Sequence, residues 1–226
     1  MATTAAGREA SERSDGTAAS PPATGPETAR PTHPGAELVV RIKRHVQLMH
    51  MAWGIAWFVG YGLRFVNDGP GGRTFVDLPD ALPLAVLLGL LAAAGVTTAV
   101  LGVRVFGRGA ADADSTLRAK RYGTAWLVGF VGLVITIGKI GHELSPHQSE
   151  LLWGSTTTGL VAALHLAGSA IWLDRTQFRM GLWLTLVNVA GVLAGPGWQA
   201  LLISIAAGAV TLFLGIHGWL RLGARS

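Results

Sequence analysis

From residue 46 onward the sequence is a succession of six apolar runs, each close to the roughly 20 residues an α-helix needs to cross a ~30 Å hydrocarbon layer. They fall at about 46–66, 82–104, 123–141, 149–173, 180–195 and 199–220. Lipid offers no partner to an unpaired backbone group, so each run closes its hydrogen bonds as a helix. The expected fold is an all-α, polytopic transmembrane bundle of six helices. Composition agrees: half the residues are hydrophobic, only 14% are charged and mean hydropathy is +0.43, against roughly 25% charged residues in soluble domains.

Residues 1–36 carry Ala, Thr, Ser, Pro, Gly and scattered charges with hardly a large apolar side chain. Such a segment cannot bury enough surface to offset its ordering entropy. It also lacks the continuous apolar stretch of a secretory signal. The expected organisation is a disordered tail over 1–40 and a transmembrane domain over 41–226. The chain has no cysteine, which excludes disulfides, thiolate metal sites and cysteine nucleophiles. Helix starts are marked at Ser145, Pro146 and Gln148, an N-cap, an N1 proline and an N3 partner, and at Asp80, a second N-cap. Gly195-Pro196-Gly197 gives a tight turn between the last two runs.

Basic residues set the expected orientation. Arg41, Lys43 and Arg44 precede the first run, and Arg104, Arg108, Arg118, Lys120 and Arg121 separate the second from the third. Arg175 and Arg179 join the fourth to the fifth, and Arg221 and Arg225 follow the sixth. Twelve of the fifteen Lys and Arg beyond the tail thus lie on one side, leaving Arg64, Arg73 and Lys139 on the other. That alternation requires an even number of crossings and places both termini in the cytoplasm of a multi-pass plasma-membrane protein. The net charge of +5 therefore reads as topology, not as a nucleic-acid surface. Trp126, Trp172, Trp183 and Trp219 fall at expected inner ends and Trp153 and Trp198 at outer ends, the pattern of an interfacial belt. Trp53 and Trp57 read as further interface anchors.

A faint internal repeat is present. Ala93-Ala94-Gly95-x-x-Thr98-x-x-Leu101-Gly102 reappears as Ala206-Ala207-Gly208-x-x-Thr211-x-x-Leu214-Gly215, and Ala56-Trp57-x-Val59-Gly60-Tyr61 resembles Ala125-Trp126-x-Val128-Gly129-Phe130. Both pairings join runs of one direction, as three parallel-related hairpins would.

All thirteen acidic residues lie in the tail, in connections or at helix ends, so no carboxylate is available mid-membrane for proton coupling. The ionisable residues within the runs are His50, His165 and His217. They fit a proton relay, a solute contact or haem ligation on one reading, haem least because no two of them share a helix, and interfacial or interhelical hydrogen bonding on the other. Ser155, Thr158, Ala162, His165 and Ser169 step by three and four along the fourth run, a small-and-polar stripe. Gly181, Thr185, Asn188 and Gly195 share a face of the fifth, and Thr98 and Thr211 sit among glycines in the second and sixth. Small residues let helices approach closely and hydroxyls bond across the contact; the same stripes would also serve a polar pathway. His142-Glu143 with His147 is spaced one residue too long for the zinc-protease signature, and Pro146 intervenes. The glycine clusters at 69–72 and 107–109 lack the lysine of a phosphate loop. No catalytic residue, metal site or cofactor is therefore expected.

The segment Met51-Ala52-Trp53-Gly54-Ile55-Ala56-Trp57-Phe58-Val59-Gly60-Tyr61-Gly62 resembles small six-helix integral membrane proteins of high-GC actinobacteria, an uncharacterised group loosely labelled transporters. The resemblance covers the helical part and transfers no site residues; it implies a permease-like activity. The expected pathway residues are Ser155, Thr158, His165, Thr185 and Asn188, with His50, His217, Thr98 and Thr211 as secondary polar positions. The expected partners are the lipid bilayer, a small solute and a second copy of the chain in a homo-oligomer. The competing reading is a non-transporting scaffold or sensor.

Overall fold

The structure, a computed structural model, describes residues 34–79, 81–106 and 113–224. The remainder of the expected tail, the Asp80 cap, Arg108 with its glycine cluster, and Arg225 lie outside the described residues. Six long helices follow one another: α1 (Pro34–Asn67), α2 (Ala81–Phe106), α3 (Ala113–Ile140), α4 (Pro146–Trp172), α5 (Arg175–Ala194) and α6 (Pro196–Gly223). The all-α, six-helix expectation holds, and among the described residues there is no strand. Four helices, α2, α3, α5 and α6, are long and apolar enough to cross a membrane, the build of a multi-pass membrane protein. α1 and α4 fall outside this apolar set because they carry the Arg, His, Ser and Thr residues of the chain's polar stripes.

Two helices start well before their apolar runs. α1 begins at Pro34, not near residue 46, and its 34 residues span about 51 Å. Residues 34–40, expected in the tail, are its first two turns. α3 begins at Ala113, ten residues early. Hydropathy marks where the chain meets lipid, whereas Ala, Arg, Lys and Leu in these extensions are good helix formers in water. The start of α4 matches expectation: Gln148 N–H donates to Ser145 Oγ and Ser145 N–H to Gln148 Oε1 at 3.1 Å, a complete capping box. The α4–α5 turn uses Leu173 at φ 51° and Asp174, whose carboxylate caps α5 by accepting from Thr176 N–H at 2.7 Å.

Close packing divides the bundle into two groups. α1 packs extensively on α2 and α6, and α4 packs on α5 with α3 at its other side, while α1 and α4 share no extensive contact. The first turns of α6 join the groups, touching α1, α4 and α5. Their common core is Ala56, Trp57, Ala94, Val161, Ala162, Leu184, Ile203 and neighbours. The α1–α6 crossing is the tightest. A Cβ on Gly208 would lie 2.4 Å from Phe58 N, and one on Gly54 2.5 Å from Leu212 N. Small residues at these positions let the two backbones touch.

Midway along α6, Ile203–Ala209 winds as a π-helix. Two hydrogen bonds tie this stretch to its neighbours: Ser204 Oγ donates to Phe58 O at 2.7 Å, and the Trp183 indole donates to Ala206 O at 2.7 Å. The repeated motifs of α2 and α6 both pack on α1, with Ala94 and Ala207 buried. The likeness stops at the glycines. Gly95 and Gly102 face open space, while Gly208 and Gly215 are pressed against α1.

Candidate functional site

The polar stripe of α4 faces its neighbours: Thr158, Ala162 and Ser169 are buried, and Ser155 and His165 half-buried. Several of these side chains are satisfied by their own helix. Ser155 Oγ donates to Leu152 O, Ser169 Oγ to Leu166 O, and His165 Nδ1 lies 2.9 Å from Val161 O. Such back-bonding lowers the cost of hydroxyls in an apolar bundle. With Nδ1 engaged on a carbonyl as donor, the imidazole of His165 is left to present Nε2 as an acceptor.

His165 sits among polar and aromatic groups of three neighbouring helices. The Trp126 ring of α3 meets the imidazole edge-on with centroids 5.7 Å apart. One turn earlier on α3, Tyr122 donates to Leu164 O at 2.8 Å. Gly168 leaves room for two side chains at once: its Cβ would meet both Tyr122 Oη and Gln177 Oε1 of α5. From α1, His50 lies within electrostatic range of both His165 and Asp174. Two of these atoms are buried without a hydrogen-bond partner. Gln177 Oε1 has none, and His50 Nδ1 faces its own Val46 carbonyl without closing a bond. Buried polar groups are nearly always paired, so Gln177 Oε1 and His50 Nδ1 keep hydrogen-bonding capacity to spare.

The expected site residues do not all converge here. His50 and His165 are brought together, but His217 is exposed and stacks on Phe213 with centroids 5.7 Å apart. Asn188 is half-buried, with Oδ1 buried and unpartnered and Nδ2 against Gly159. Gly159 and His165 point about 120° apart around α4, so Asn188 forms a separate polar spot between α4 and α5. Thr185 is exposed and donates to Gly181 O. The buried face of α5 runs through Met180, Leu184, Val187 and Gly191, which rotates Thr185 off it. Thr98 accepts from the Trp53 indole at 2.9 Å and donates to Ala94 O, tying α2 to α1. Thr211 is buried in α6.

Trp198 and Trp219 are exposed, while other tryptophans are drawn into helix contacts. Trp57 is in the core, Trp53 bonds Thr98, Trp126 packs between Tyr122 and Phe130, and Trp183 bonds α6. An indole N–H has to find an acceptor when drawn into a bundle, and helix carbonyls and hydroxyls supply it.

Sequence reasoning missed Gln199 and Gln177, and it read Glu150 only as part of a hydrated outer connection with His142, Glu143 and His147. Gln199 is 2% exposed, donates Nε2–H to Leu151 O at 3.4 Å, and lies against Gly154 and Gly191. Gln177 sits in the first turns of α5, where it passes for an interfacial residue. Glu150 pairs with Arg64 (Nη2–Oε1 3.2 Å) and joins α4 to α1 at the end opposite His50 and His165. The signal available for Gln199 was an uncharged amide inside an apolar run, which is costly enough to weigh.

Among the described residues, no three His, Asp or Glu side chains gather as metal ligands. Two open grooves are largely apolar: one of about 340 Å³ between α1 and α6, lined by Phe58, Leu63, Phe65 and Leu201 among others, and one of about 330 Å³ on α2 beside Arg104. No family model matches the chain, and neither a curated protein nor a solved structure is similar to it.

Proposed function

We propose that this chain is a small-solute permease-like protein of the plasma membrane, crossing it six times with both termini in the cytoplasm. The observation that carries the reading is the inner polar cluster. His50 comes from the α1 group, and Tyr122, Trp126, His165 and Gln177 come from the α3–α4–α5 group. A site shared by two groups of helices that meet through α6 and a common core is what rocking of one group against the other requires. Its chemistry favours an uncharged or weakly cationic polar solute: imidazole nitrogens and an amide oxygen for hydrogen bonds, aromatic faces for the apolar part, and Asp174 nearby. The concentration of Lys and Arg at the helix ends around this cluster supports placing it on the cytoplasmic side.

The absence of native cysteine makes the test clean. Single cysteines at positions 50, 165 and 177 are expected to react with a small aqueous thiol reagent and to be protected by a solute that proteoliposomes take up. Cysteine in place of Phe213, which faces outward, is expected to react slowly and without protection. If all three cluster positions stay inert in folded protein, the site is dry and the permease reading fails.

A scaffold is the second reading, favoured by one observation. The hydroxyls of α4 are closed on their own helix, and the open grooves are largely apolar. On that reading the polar stripes serve helix packing, and the basic helix ends hold anionic lipid or a partner.

A further inference from the structure

The end of the bundle opposite His50 and His165 is fastened by charge. Arg64 stands in the last turn of α1 and Glu150 in the second turn of α4. Arg64 Nη2 lies 3.2 Å and Nε 3.3 Å from Glu150 Oε1, and the two side chains are only 21% and 16% exposed. Asp68, 3.9 Å from the same guanidinium, is a looser second partner. One turn further in, Tyr61 lies within electrostatic range of both charges. The two helices so joined belong to different packed groups and share no extensive contact of their own.

We propose that the Arg64–Glu150 pair is a releasable latch that holds the outer end of the bundle shut over the polar interior. The proposal rests on the reading of the inner cluster as a solute site and adds the gate that site would need. Three features distinguish a latch from a strut. The pair crosses the boundary between two groups and is ionic, whereas the core they share and the close contacts within each, such as Gly54 on Leu212 and Gly181 on Leu166, are neutral. Both charges are near a helix end, so each can return to water when the pair parts. Beneath the pair the boundary is otherwise held by neutral contacts: Gln199 bonds Leu151 O, and its side chain fits against Gly154 of α4 and Gly191 of α5. An amide sliding between two glycines can give way without leaving a buried charge behind.

The test uses Thr158→Cys as reporter. Thr158 is 1% exposed and lies two turns deeper than Glu150 on α4. In sealed proteoliposomes of known orientation, an impermeant thiol reagent is added on the side of the Arg64–Glu150 pair. Releasing a latch that leaves the open state about 1% populated raises that population and the labelling rate about tenfold. That increase is expected for Glu150→Gln and for Arg64→Gln, with return to the original rate in the Arg64→Glu, Glu150→Arg double variant. Gel filtration establishes that each variant is folded. An unchanged rate in folded Glu150→Gln protein overturns the latch, as does a swap that labels as fast as the single variants. The inner site is read separately, by solute protection of the thiol in a His165→Cys variant. Faster labelling of the Thr158→Cys reporter without such protection supports the latch and counts against the permease reading. Protection in the His165→Cys variant with no change at the reporter does the reverse.

Discussion

A matched pair of glycines gives the sharpest test of how the bundle is packed. Gly95 and Gly208 occupy the same place in the repeated motif, one in α2 and one in α6. A Cβ at Gly208 would meet Phe58 N at 2.4 Å, Phe58 Cα at 2.8 Å and Trp57 C at 2.9 Å, all backbone atoms. None can rotate aside, so α6 would have to withdraw from α1 by about 1 Å to restore ordinary contact. That shift also loosens Gly54 against Leu212 and Gly215 against Met51, and it stretches the Ser204–Phe58 bond. Overpacking costs typically 1–3 kcal/mol, and a rigid backbone clash belongs at the top of that range, roughly 3 kcal/mol. For a chain of this size the corresponding fall in Tm is about 6–12 °C. A Cβ at Gly95 meets nothing within 4 Å, so Gly95→Ala is expected to be neutral or to gain a few tenths of a kcal/mol from helix propensity, about 0.5–1 at most. Melting in detergent, followed by tryptophan fluorescence, measures both. Equal Tm values for Gly208→Ala and Gly95→Ala, or a larger loss in the latter, would refute the assigned α1–α6 crossing.

Trp183→Phe keeps the ring but leaves Ala206 O without its indole donor, for an expected loss of about 1 kcal/mol; a Tm equal to that of the parent would show the bond is idle. Ser145→Ala breaks the capping box of α4 and is expected to cost about 1 kcal/mol, read in the same melt. His217→Ala, at an exposed ring stacked only on Phe213, is expected to change stability by less than about 0.5 kcal/mol. His165→Ala is expected to lower it measurably, because Trp126 and Val161 O both lose a partner.

Much of the architecture was legible because its cause is local. A run of apolar residues has one way to satisfy its backbone in lipid, and the Ser145-Pro146-Gln148 cap is a contact across three residues. The ends of α1 and α3 were not legible from hydropathy, since Arg41, Lys43, Arg118 and Lys120 interrupt the apolar pattern without interrupting the helix. The candidate site was legible only in part. His165 and the stripe around it declared themselves by spacing, but the partnership with His50, Tyr122 and Gln177 depends on which helices meet. The same limit applies to Thr185, whose fate turns on the rotation of α5, and to Gln199, whose pocket is made by Gly154 and Gly191 on two other helices. The tryptophan contacts were not legible either. An indole at a run's end suits an interface, yet Trp183 finds its acceptor in a carbonyl of the π-helical stretch of α6, a distortion with no evident mark in Ile203–Ala209 itself.

The claim on which the rest depends is the six-crossing topology, and impermeant-thiol labelling of single cysteines on intact cells tests it most directly. Cysteines in place of Arg73, Glu143 and Ala194, in or beside the three connections at one end of the bundle, are expected to label from outside. Cysteines in place of Lys43, Arg118, Asp174 and Arg221, at the basic end, are expected to label only after the cells are opened. Labelling of any of these four in sealed cells, or protection of one of the first three, would contradict the account.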